Sequence, residues 1–97
     1  MKMDFLERMR ENICSAATRE QLDVYSQQFI GKAGSFDLSE LEKCPVENTL
    51  VQISFKIVLL FSDSAITENV RALITYLMNS KLLPEFVEHI LRRLTVK

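Results

Sequence analysis

From Ile66 to Met78 the large apolar side chains fall at Ile66, Val70, Leu73, Ile74, Leu77 and Met78. Steps of three and four residues line all six along one side of an α-helix, whereas a strand would scatter them over two faces. Such a rod is marginal alone in water and needs other helices to lie against. The rest of the chain supplies them. Phe5, Leu6, Met9, Ile13 and Ala16 repeat the rhythm and predict a first helix over about residues 4–16. Thr18-Arg19-Glu20-Gln21 is a Thr-x-x-Gln capping box. It starts a second helix with Leu22, Tyr25, Phe29 and Ile30 on its buried side, and Gly31 is placed to end that helix in the left-handed conformation.

Asp37-Leu38-Ser39-Glu40 is a further cap signature, opening a short helix that Pro45 curtails. The run Leu50 to Phe61 reads two ways. Val51, Ile53, Phe55 and Ile57 alternate as in a strand. Thr49, Gln52, Lys56 and Asp63 also share one side of a helix, leaving its other sides apolar as in a central buried helix. Helical signals before and after it, and no second strand to pair with, favour helix. Ser64 is placed to cap the helix carrying Ile66 to Met78. After Leu82 and Leu83, Pro84 sits in a first helical turn, with Phe86, Val87, Ile90, Leu91 and Leu94 inward. Glu85 at one end and Arg92 and Arg93 at the other complement that helix's dipole. The expected fold is all-α: one domain over residues 1–97, a compact bundle of five or six helices with short loops.

At 97 residues the chain can bury roughly 60–65% of its unfolded surface, enough for one modest core. A formal net charge of −1 lacks the basic excess of a typical duplex binder, so nucleic acid is disfavoured. Arg92, Arg93, Lys97 and Lys81 are too scattered to make a phosphate footprint. The opening MKMDFLERMRENI has neither signal nor transit character, and the longest apolar run, Ile57 to Phe61, is far short of a membrane span. Cys14 and Cys44 read as reduced thiols, which points to an intracellular setting, cytoplasmic or nuclear.

No motif carries catalysis. Gly31-Lys32-Ala33-Gly34-Ser35 has the wrong glycine spacing for a phosphate loop and follows a helix instead of a strand. His89, the one histidine, has Glu85 a turn before it and reads as a surface imidazole in a charged helical face. Cys14, Cys44 and His89 are too few and too dispersed for structural zinc. Asp37, Glu40, Glu42 and Glu47 lack the alternating ligands and central glycine of a calcium loop. The expectation is no enzyme, no cofactor, no metal and no small-molecule substrate.

What stands out is apolar load between Leu50 and Leu94, more than a small bundle hides with ease. Surplus apolar surface on a small domain marks an interface. The candidate residues are Ile66, Val70, Leu73 and Leu77 on one helix and Leu82, Leu83, Phe86 and Ile90 around the next; some of these must be core, and sequence does not divide them. The stretch TLVQISFKIVLLFSDSAITENVRALITYLMNS, within residues 47–94, resembles a helical hairpin of armadillo or HEAT type. That resemblance rests on pattern, covers about half the chain and implies a scaffold that recognises protein segments along a helical surface. The scale of six helices in under a hundred residues, and the phrase ENVRALITYLMNSKLLPEFVEHILRRL, are also similar to death-fold adaptors such as caspase-recruitment domains. The expected function is a non-catalytic module that binds another protein, itself, or both; a homo-oligomeric chaperone or regulatory protein is the nearest variant.

Overall fold

The computed structural model describes residues 2–33 and 43–96. Five helices account for them: α1 (Lys2–Ser15), α2 (Arg19–Ala33), α3 (Lys43–Phe61), α4 (Glu68–Asn79) and α5 (Glu85–Thr95). No strand occurs among the described residues, so Leu50 to Phe61 is helical throughout. The all-α expectation holds. The cap signature at Asp37–Glu40 lies outside the described residues.

α3 is the central element and packs against each of the other four helices. α1 lies chiefly along α3, α2 chiefly along α4, and α5 closes over α3. One continuous core results: Leu6, Met9 and Ile13 from α1, Leu22 and Phe29 from α2, Val46, Leu50, Ile53, Ile57 and Phe61 from α3, Val70, Leu73, Ile74 and Leu77 from α4, and Val87, Leu91 and Leu94 from α5. An aromatic column ties three helices together. The rings of Phe5 and Phe29 are 5.7 Å apart, and Tyr76 meets Phe29 edge-on at 5.2 Å, an arrangement that adds to plain burial through ring quadrupoles.

Hydroxyls enter this core because each is satisfied on its own helix. Ser26 donates to the Leu22 carbonyl at 2.8 Å, Ser54 to Leu50 at 2.8 Å and Thr49 to Pro45 at 2.9 Å. Thr49 is therefore core, only 3% exposed, and not on a solvent side with Gln52 and Lys56 as the sequence pattern suggested.

The helix ends follow local chemistry, with several departures from expectation. Thr18 caps α2 as expected, with Gln21 N–H donating to Thr18 Oγ1 at 3.1 Å, while the return bond reaches one residue further back than a capping box: Gln21 Oε1 accepts from Ala17 N–H at 2.7 Å. Gly31 does not end α2; the helix runs through it to Ala33 with no positive φ. Pro45 curtails nothing. It stands in the first turn of α3, where the missing N–H has no carbonyl to bond. The cap of α4 is Thr67 and not Ser64: its Oγ1 accepts from Val70 N–H at 3.2 Å, which leaves Ile66 just outside the helix. The same hydroxyl donates to the Asp23 carboxylate, and Asn69 Nδ2 donates to it at 3.3 Å, so one side chain of α2 clasps the start of α4. Finally, Phe86 faces solvent while Val87, Leu91 and Leu94 are buried and Ile90 is half-buried. The true apolar stripe of α5 is 87–91–94, continued upstream by Leu83, and Phe86 lies off it.

Left-handed backbone appears where sequence did not place it. Lys81, just after α4, has φ 59. Its N–H donates to the Met78 carbonyl at 3.4 Å, one of the two bonds of a Schellman ending. The second is replaced by a relay: Leu82 N–H donates to Ser80 Oγ at 3.2 Å, and Ser80 donates to the Leu77 carbonyl at 2.6 Å. Lysine thus occupies the position that favours glycine, while Gly31 sits in a helix with nothing within 4 Å of where a Cβ would stand. Exchanging the two types should help at both sites. Gly31→Ala is expected to stabilise by about 0.5–1 kcal/mol through the unfolded chain. Lys81→Gly is expected to stabilise by roughly 0.5 kcal/mol through relief of left-handed strain. Urea-unfolding midpoints check both, with Leu73→Ala as a core reference that loses about 2–5 kcal/mol.

Candidate interaction surface

The eight apolar residues proposed from sequence divide cleanly. Val70, Leu73 and Leu77 are completely buried and Leu83 nearly so; they are core. Ile66 and Leu82 are half-buried and packed against that core from the flanking loops. Ile90 is half-buried on α5, and Phe86, 60% exposed, is the one member of the set that stands well out in water.

Sequence reasoning passed over a second surface, on α3. Its buried stripe is 46, 49–50, 53–54, 57 and 61, and the opposite line is Asn48, Gln52, Phe55, Leu59 and Ser62. At the centre of that line Phe55 is 46% exposed and Leu59 is 70% exposed, one helical turn apart. Val51 and Val58, half-buried, flank them. All five outward positions are uncharged. The signal was present in the spacing: positions 55 and 59 fall roughly half a turn round from 50, 53 and 57. An apolar run with few polar markers concealed which side was which.

Polar contacts fix the edges of this face. Arg10 of α1 donates to Gln52 Oε1 at 3.2 Å and to Glu7 Oε2 at 3.0 Å. The hydrogen bond and charge of Glu7 hold the Arg10 guanidinium above its ordinary pKa. The Cys14 thiol, half-buried, lies 4.0 Å from the Gln52 carbonyl. At the other end Arg19 reaches from the start of α2 to the Leu60 carbonyl at 3.3 Å and satisfies one of the last acceptors of α3.

Two depressions accompany these residues. One, about 400 Å³, lies between α2 and the α3–α4 connection, with Val24, Phe61 and Ala65 among its apolar lining and Arg19, Glu20 and Asp23 among its charged lining. The other, about 580 Å³, runs along α5 beside Glu85, Phe86, Glu88, His89, Ile90 and Arg92. His89 is exposed there, in a charged face, as its spacing suggested. Glu47 is half-buried in α3, Arg92, Arg93 and Lys81 are exposed, and Asp37, Glu40, Glu42 and Lys97 lie outside the described residues. Among the described residues no three His, Cys, Asp or Glu side chains are grouped as a metal ion would require, and no helix is long and apolar enough to cross a membrane.

Among the described residues one buried side-chain polar atom has no partner. The Tyr76 hydroxyl, at the end of the aromatic column, makes no hydrogen bond, and burial raises its pKa. No family of known proteins, no curated protein and no solved structure matches the chain.

A raised phenol pKa means that the folded chain holds the Tyr76 proton more tightly than the unfolded chain does. Its contribution is therefore intact below the unfolded value of about 10 and is lost as pH climbs beyond it. Tyr76→Phe removes an orphan hydroxyl and should stabilise by about 1 kcal/mol at neutral pH. It should also flatten the decline in stability above about pH 10. Urea titrations at neutral and alkaline pH read both effects.

Proposed function

We infer that this chain is a non-catalytic helical module that binds protein, and that the outward face of α3 is the surface it presents. The exposure of Phe55 and Leu59 side by side, on the helix that packs against each of the other four, carries this reading. Single exposed apolar side chains are ordinary on any protein. A pair one turn apart on an uncharged line, with two half-buried valines along one flank and the half-buried Lys56 on the other, is the pattern of a contact centre with an uncharged core and a polar rim. Rigidity favours the role, since a face held by its neighbours loses little freedom on binding.

The reading keeps the scaffold function that the armadillo and HEAT resemblance implies, recognition of a protein segment along a helical surface, and moves the contact from the last two helices to the third. Phe86 on α5 supplies a second, smaller contact point. The setting expected from the two thiols, inside the cell, suits a subunit or adaptor of a larger assembly.

A photo-reactive phenylalanine analogue placed at position 59, with a control at exposed Thr75 on α4, tests the reading in living cells of the source organism. Discrete adducts from position 59 and none from position 75 are expected. Equal labelling from both positions, or none from either, would reject α3 as a binding face.

A further inference from the structure

Resting on the reading of α3 as a contact face, we propose that its occupant is a second copy of this chain, crossing antiparallel about a twofold axis between Phe55 and Leu59. The argument is one of charge and shape. The line from Asn48 to Ser62 is uncharged, and Lys56 stands on one flank of it, so two like faces oppose charge only at that flank. Its two ends differ. At the Gln52 end the Arg10 guanidinium is anchored on the face by the 3.2 Å hydrogen bond. At the other end Asp63, exposed, follows Ser62 beyond the last turn of α3.

An antiparallel pairing that lays Phe55 on Leu59 of the second copy also lays Gln52 against position 62. Arg10 of each copy then comes to the Asp63 end of the other, twice, by symmetry. A parallel pairing would instead set Arg10 beside Arg10 and Asp63 beside Asp63. The helix dipoles make the same choice, because antiparallel α3 helices bring unlike ends together.

Size sets the strength. The line from Asn48 to Ser62 is about 21 Å long. Two such faces with their flanks bury close to the lower bound of about 1,000 Å² for a specific contact. Lys56, half-buried on the flank, approaches its own copy near the axis and opposes close contact. Glu7 already shares the charge of Arg10. The association is therefore weak and reversible, with a dissociation constant between about 10 μM and 1 mM.

Sedimentation equilibrium of the full chain over about 10 μM to 1 mM reads it. The expected result is a rise from 11.2 kDa towards twice that mass. Leu59→Asp is expected to weaken association at least tenfold while leaving the helical circular dichroism unchanged, because the residue is 70% exposed. Asp63→Lys should weaken it several-fold, and Phe86→Asp should leave it unaltered. A chain that stays monomeric at about 1 mM overturns the proposal, as does a dimer that survives Leu59→Asp or is lost with Phe86→Asp. The cross-linking experiment separates the two ideas. Adducts of position 59 to the same chain support the homodimer, whereas adducts to a different protein retain the contact face and discard the second copy.

Discussion

Everything in this fold is arranged around a shortage of neighbours for α3. The helix is apolar on almost every side, yet four helices packed round a cylinder leave a gap, and something must occupy it. The chain resolves this by burying the side with Leu50, Ile53, Ile57 and Phe61 and moving two small hydroxyls, Thr49 and Ser54, into the core with their hydrogen bonds closed internally. Phe55 and Leu59 are left outward. The core would be as full with polar residues at those two positions, so their presence is not explained by the stability of the isolated bundle.

The polar chemistry of the molecule serves the joints. Asp23 holds the start of α4, Arg19 the end of α3, Arg71 the Thr95 carbonyl near the end of α5 at 3.1 Å, and Arg10 the side of α3. Each joins helices remote in sequence across the seam where they meet.

Much of this was legible in the residues. The amphipathic rhythm of α1, α4 and α5, the Thr18 cap and the dipole-matched ends of α5 are local matters, governed by 3.6-residue periodicity and by which side chains reach an orphan N–H. Errors arose where two local solutions were close in energy. Gly31 suits a left-handed ending, but an uncrowded helix accommodates it equally and α2 ran on. Ser64 and Thr67 are both competent caps, and the clasp by Asp23 from α2 favours the second. Lys81 took a left-handed conformation without glycine because the Ser80 hydroxyl relays one hydrogen bond of the ending.

The surface was the least legible part. Leu73 and Leu59 are the same residue type in helices of the same kind, and the nearly unbroken apolar run of α3 conceals in the sequence which of its sides goes inside. Periodicity states that a helix has a buried side, and so composition and spacing alone determined that this chain makes helices and that they must associate. It does not state how wide that side is, because the width depends on how many neighbours arrive and at what angle. Only the packing of α1, α2, α4 and α5 about α3 decided that Leu73 is inside and Leu59 is in water.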